Sequence, residues 1–273
     1  MNKDKPIIRL EGVYKAFDSE VVLDGVDLAI QRGRTTVVIG PSGCGKSVLL
    51  KHIVGLLRPD RGKVFFRSHL VSAMSERQLV AVRRRMGFLF QGGALFDSMT
   101  VEQNVCFPLE EHAFGTPNEH RRRCREVLSL VGLEGMQDRM PEELSGGQKK
   151  RVALARAIAL DPEVILYDEP TTGLDPIRAD LINELILKLH KDLGTTSVVV
   201  THDMSSARKV GDRIVMLHEG TFVVDTTPDK LERIDNEAVA RFVEGRASSE
   251  ELAQIKSGSL FDSTRAPAGE DGG

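Results

Sequence analysis

Two stretches of this 273-residue chain have the residue types to grip phosphate, and they differ in design. The first, GPSGCGKS, runs through Gly40, Pro41, Ser42, Gly43, Cys44, Gly45, Lys46 and Ser47, with Val48 next. It fills the pattern G-x-x-x-x-G-K-[ST]. In that pattern glycines let backbone N–H groups wrap a phosphate chain, the lysine reaches the β and γ phosphates, and the hydroxyl ligates Mg²⁺. A chance match in a chain this long is expected roughly once in a hundred, so a plain glycine-rich turn is a remote reading. The second stretch, LSGGQKKR from Leu144 to Arg151, has paired glycines but no Gly-Lys-Ser. Ser145, Gly146, Gly147 and Gln148 offer N–H groups and the positive end of a helix. That suits a terminal phosphate but does not hold a triphosphate unaided.

A third stretch, VILYDE from Val164 to Glu169, supplies acids. A buried strand ending in a carboxylate delivers it to the edge of the sheet where phosphates lie, so Asp168 is placed to hold Mg²⁺ through water. Glu169 beside it is suited to act as base toward an attacking water. Taken alone, an apolar run before Asp-Glu is common and marks only a strand end.

The surrounding pattern indicates how these groups are positioned. TTVVIG from Thr35, VILY from Val164 and SVVVTH from Ser197 are short apolar runs that fit strands buried on both faces. Helical patterns separate them, beginning with VLLKHIVGLL after Ser47, which implies an α/β core with a mostly parallel sheet. Before it, IIRLEGVYKAF and VVLDGVDLAI alternate as antiparallel strands with one wet face do. Between Gln91 and Leu160 helix signals take over, and residues 92–160 read as a helical subdomain inserted in the core. Thr100-Val-Glu-Gln103 is a capping box, and Ser145 caps a helix that runs to Leu160 before Asp161-Pro162. Asp175-Pro176 opens another helix, which closes at Gly194. RIVMLHEGTFVVD predicts a hairpin at the sheet's edge, turning at Glu219-Gly220. The main domain is expected over residues 7–245. From residue 246 a small, polar, flexible tail is expected, with Leu260-Phe261 its only apolar anchor.

Composition narrows the options. A net charge of -3 with 28% charged residues describes an ordinary surface with no demand for a polyanion partner. The runs Arg83-Arg84-Arg85 and Arg121-Arg122-Arg123 read as solvated faces, because no aromatics are interleaved with them. Cys44, Cys106 and Cys124 lack metal-ligand spacing and read as reduced cytosolic thiols. No apolar run approaches the length of a bilayer span, and MNKDKPIIRL has no signal-like core.

Taken in order, GPSGCGKS, Gln91 after GFLF, LSGGQ, DEPTTGLDP and His202 after SVVV resemble the ATP-binding cassette (ABC) family across residues 7 to 245. The resemblance implies a P-loop NTPase core with N-terminal antiparallel β strands and an inserted helical subdomain. It also implies that Gln91 touches Mg²⁺ and the attacking water, that His202 contacts the γ-phosphate, and that Asp175 lies at a subunit junction. Phe17 falls where the family stacks an aromatic on adenine, with Tyr14 a nearby rival. In the family, the LSGGQ element covers ATP lying on the phosphate loop of an opposing subunit. One chain then makes two half-sites, and a second copy of itself closes both.

Family members either drive a separate permease or act on DNA. The compact insert without sustained heptads and the lack of zinc pairs favour transport. FLFQGGALFDSMTVEQNVCFPL, together with RFVEGRA from Arg241 to Ala247, is similar to the ATPases of MCE-type lipid transport systems, the MlaF-like group. That resemblance implies a permease, an MCE-domain protein and a station on the cytoplasmic face of the inner membrane. An importer ATPase for amino acids or other small polar solutes is the alternative. A soluble cassette protein acting on nucleic acid or the ribosome is the less favoured one.

Overall fold

The computed structural model describes residues 5–247 and 252–253. The chain divides into two units, Met1–Leu231 and Glu232–Gly273.

In the first unit, β1 (Ile8–Phe17) and β2 (Glu20–Ile30) form an antiparallel pair. The chain then enters β3 (Thr35–Ile39) and, after the glycine-rich loop, α1 (Lys46–Ile53). Next come β4 (Arg61–Phe66), the two-residue β5 (His69–Leu70), α2 (Glu76–Arg83) and β6 (Met86–Leu89). Three helices follow: α3 (Val101–Glu111), α4 (Pro117–Leu130) and α5 (Gly146–Ile158). The core resumes with β7 (Val164–Asp168), α6 (Pro176–Leu193), β8 (Thr196–Thr201) and α7 (Met204–Val210). It closes with the hairpin β9 (Arg213–His218) and β10 (Thr221–Thr226).

The strands make two sheets. One has the order β2-β1-β4-β5 and is antiparallel; the other has the order β10-β9-β3-β8-β7-β6 and is parallel except at the β10 edge. Every residue of β3, β7 and β8 is buried, as their continuous apolar character predicts. A single apolar core joins Leu10, Val26 and Val64 of the antiparallel sheet to Val38, Leu166 and Val200 of the parallel one, with Leu49, Leu50 and Ile53 of α1 among them. Each such side chain contributes about 1.5–3 kcal/mol on burial, so the phosphate loop's helix is anchored on its apolar side. Glu219 and Gly220 turn the β9–β10 hairpin, both with positive φ.

Helices α3, α4 and α5 pack on one another between β6 and β7. Thr100 and Gln103 cap α3 reciprocally, Thr116 and Glu119 do the same for α4, and Ser145 and Gln148 for α5.

The two arginine runs are not simply solvated faces. Arg83 donates to the carbonyls of Val54 (3.2 Å) and Gly55 (2.9 Å). Those carbonyls lie just past α1, which ends at Ile53, short of the ten-residue apolar run, as the chain turns through Gly55 at φ 70. Arg123 donates to those of Ala159 (3.0 Å) and Ile158 (2.9 Å), closing α5 two residues before Leu160. In each case a cation satisfies the exposed carbonyls at a helix end. A third cationic group gathers at the foot of β7. There Glu163 accepts from Arg32 (3.1 Å), Arg67 and Arg85 (3.1 Å), fastening three distant segments together.

In the second unit, α8 (Glu237–Glu244) starts at Asn236, whose side chain accepts from Val239 N at 3.2 Å, and stops at Gly245 in the left-handed region. Leu260 and Phe261 lie outside the described residues. Among the described residues no helix is long and apolar enough to cross a membrane.

Candidate functional site

The loop from Gly40 to Ser47 hangs between β3 and α1, and two of its glycines are sterically required. A Cβ on Gly40 would stand 2.3 Å from the Leu217 carbonyl oxygen. Gly45 has φ +102, and a Cβ there would meet Val22 at 2.8–2.9 Å. Gly45 is also the N-cap of α1 and supplies no side-chain cap. Lys46 is only 6% exposed. Its Nζ donates to the carbonyls of Gly40 and Pro41, both at 2.8 Å, and lies 3.6 Å from Glu169 Oε1. Burial raises the Cys44 thiol pKa, with Lys46 opposing.

The acids at the end of β7 meet this loop. Ser47 Oγ donates to Asp168 Oδ1 at 2.8 Å. Burial raises the Asp168 carboxyl pKa, the Ser47 bond opposes the rise, and the Glu169 charge adds to it. Glu169 is 7% exposed and adopts φ +48, a conformation that side-chain-bearing residues rarely hold. Its Oε2 lies 2.9 Å from His202 Nδ1 and accepts from Thr172 Oγ1 at 3.1 Å. The His202 loop is pinned in turn, since Asp203 caps α7 at Ser205 N (2.9 Å) and accepts from Ser206 Oγ (2.6 Å).

A cleft of about 340 Å³ collects nine of the expected residues, Ser42, Gly43, Gly45, Lys46, Ser47, Val48, Gln91, Glu169 and His202, with Thr172 added. It does not include Ser145, Gly146, Gly147 or Gln148. Those residues sit instead beside the loop that carries Asp175. A Cβ on Gly146 would be 3.9 Å from Leu174, and one on Gly147 3.8 Å from Arg178. Asp175 itself caps α6 through Arg178 N at 3.0 Å. Phe17, at the end of β1, is 42% exposed but outside the cleft lining, with Lys15 Nζ 5.2 Å from its ring centroid. The rival Tyr14 is half-buried, under the Arg61 guanidinium at 4.3 Å.

Sequence reasoning missed Thr172 and Lys150. Lys150 is 7% exposed and donates to the carbonyls of Gln91 (3.2 Å) and Glu169 (3.3 Å). Burial lowers its pKa from the usual lysine value, against the pull of Glu169. A signal existed: Ala153 and Leu154, three and four residues on, are fully buried, so helical spacing puts Lys150 on the inward face.

Residues 23–172 match the family described as ABC transporter. The chain is 41% identical over 239 residues to the probable ribonucleotide transport ATP-binding protein mkl of Mycobacterium tuberculosis, covering 88% of this chain and 67% of that protein. It is 40% identical over 227 residues to the intermembrane phospholipid transport system ATP-binding protein MlaF of Haemophilus influenzae, covering 83% and 86%. A dimeric ATP-binding cassette solved in a post-hydrolysis state with ADP and Pi superimposes with a TM-score of 0.75 at 36% identity, over 81% of this chain and 98% of that one. The cleft, the α/β fold and these likenesses together make the chain a member of the ABC transporter family, an ATP-hydrolysing transport subunit.

Proposed function

We propose that two copies of this chain close head to tail around two ATP molecules and drive a separate transmembrane permease that moves phospholipid or a related lipid. One observation carries the paired arrangement: the cleft gathers Lys46, Ser47, Gln91, Glu169 and His202, while the glycine-led start of α5 stands outside it. A second chain's Ser145, Gly146, Gly147 and Gln148 complete the phosphate cage, with Asp175 at the junction. The solved dimeric cassette supports this reading.

Within each half-site, Lys46 exchanges its carbonyl partners for β and γ phosphate oxygens, and the loop amides from Gly40 to Ser47 wrap the chain. Phe17 stacks on adenine. The hydroxyl of Ser47 and the carboxylate of Asp168, with the Gln91 amide on the cleft wall, are hard oxygen donors that fit Mg²⁺. Bound there, Mg²⁺ would neutralise phosphate charge. Glu169, oriented by Thr172 and His202, takes the proton of the attacking water, and His202 reaches toward the γ-phosphate.

The permease is met beside Gln91. An apolar pocket of about 450 Å³ is lined there by Phe88, Phe90, Ala94, Phe96 and Phe107, among others. Its rings pair at 4.2 Å (Phe88 with Phe90) and 4.7 Å (Phe96 with Phe107). Likeness to the intermembrane phospholipid transport ATP-binding proteins supports lipid cargo, and the resemblance of FLFQGGALFDSMTVEQNVCFPL to MCE-type systems adds an MCE-domain partner and a place on the cytoplasmic face of the inner membrane.

Two measurements test the proposal. Glu169→Gln is expected to bind ATP, to lose at least about a hundredfold in turnover, and to sediment as a dimer with ATP. A variant that binds ATP yet remains monomeric overturns the paired arrangement. The intact membrane complex is expected to carry a permease, an MCE-domain protein and phospholipid. Recovery of a soluble substrate-binding protein with a polar solute would refute the lipid assignment.

A further inference from the structure

Lys150 stands apart from the residues that line the cleft, yet it touches two of them through their backbones. Its ammonium has three donors and no acceptor. Its two partners are the carbonyl oxygens of Gln91 and Glu169, 59 and 19 residues away in sequence. Six residues further along α5, Arg156 donates to the carbonyls of Gly93 and Ala94, both at 2.8 Å. One helix thus holds both ends of the segment that starts at Gln91. The same helix begins with the Ser145-Gly146-Gly147 element.

The Glu169 end has its own reason to need holding. Glu169 sits at φ +48 and is nearly buried. A non-glycine residue keeps such a conformation only where its surroundings over-determine it. Its N–H donates to Val200 O at 3.0 Å, and its carbonyl accepts from Lys150. Without the ammonium, the carbonyls of Gln91 and Glu169 lose a charge-assisted donor, the second of them in a buried setting.

We infer that Lys150 is a positioning residue for ATP hydrolysis: it ties the backbone of Gln91 to that of Glu169, so that α5 sets their spacing in its own chain's half-site. A movement of α5 as its glycines engage the partner's ATP is thereby passed to the chain's own water-activating groups. The inference rests on the reading of Glu169 as base and of Gln91 as a contact of the attacking water.

The test is steady-state ATP hydrolysis by the full chain. Lys150→Met keeps the side chain's reach and removes its donors. It is expected to lower kcat about tenfold to a hundredfold while KM for ATP stays within about twofold. Lys150→Arg, which restores paired donors, is expected to recover most of the loss. A methionine variant with wild-type kcat, a KM that rises in step with the loss, or an arginine variant no faster than the methionine one each overturns the inference. If the methionine variant does not fold, Lys150→Leu, equally without donors, replaces it with the same split expected, and an unchanged kcat is again fatal. Glu169→Gln runs alongside. Turnover that survives it removes the base assignment, whereas a wild-type rate for Lys150→Met beside an inactive Glu169→Gln removes only the lysine's role.

Discussion

Helices α1 and α5 both begin at glycine-containing turns, and they begin in opposite ways. The first starts at Gly45, in a left-handed conformation with no side chain to cap it. The second starts at Ser145, whose hydroxyl accepts from Gln148 N while the Gln148 side chain accepts from Ser145 N. An uncapped helix start leaves donors for an anion to satisfy. A capped one has already satisfied part of its need from within. The contrast extends to the two buried lysines. Lys46 lines the cleft and, besides bonding two loop carbonyls, lies close to a carboxylate, whereas Lys150 lies outside the cleft lining and bonds the carbonyls of Gln91 and Glu169. On the proposed function, the phosphate loop is the element whose free donors the nucleotide satisfies, and the α5 start, already capped in part from within, adds less to binding by the lone chain.

Three substitutions probe this contrast, in order of decreasing effect. Lys46→Ala is expected to cut hydrolysis by about a thousandfold, measured as phosphate release. A rate near wild type would deny the loop its dominant part. Gly45→Ala forces a Cβ at φ +102 against Val22. Strain of about 1–3 kcal/mol is expected to appear as a lower melting temperature and weaker ATP binding, and full affinity would show that the turn tolerates a side chain. Ser145→Ala removes one cap, at about 1 kcal/mol of helix stability. Nucleotide binding to the lone chain is expected to be unchanged, with only the ATP-driven pairing weakened. If binding by the lone chain fell as far as in Lys46→Ala, the division between the two helix starts would not hold.

Much of this was legible in the sequence because it is local. Buried strands announce themselves as unbroken apolar runs, the caps at Thr100, Ser145 and Asp175 by residue type and spacing, and the β9–β10 turn by Glu219-Gly220. The phosphate loop, Asp168, Glu169, Gln91 and His202 were readable because their order is distinctive. What escaped depends on distance along the chain. Arg83 and Arg123 looked like solvent charges, since the carbonyls they cap, those of Gly55 and Ala159 among them, lie 28 and 36 residues away in sequence. Lys150 was hidden among the polar residues of LSGGQKKR, although its helical register already pointed inward. Strand β4 gave little signal because RGKVFF opens with three exposed positions, including Gly62 and Lys63.

Glu163 illustrates how unevenly such a fold tolerates change. Burial works to raise its carboxyl pKa, but the bonds from Arg67 and Arg32 prevail and hold it below the ordinary value. Three guanidinium groups crowd one anion, so any single arginine can be lost while two remain to neutralise it. Loss of the anion is different in kind, because it leaves three like charges facing each other with no counter-charge between them. That corner of the molecule can drift at its rim and is intolerant at its hub.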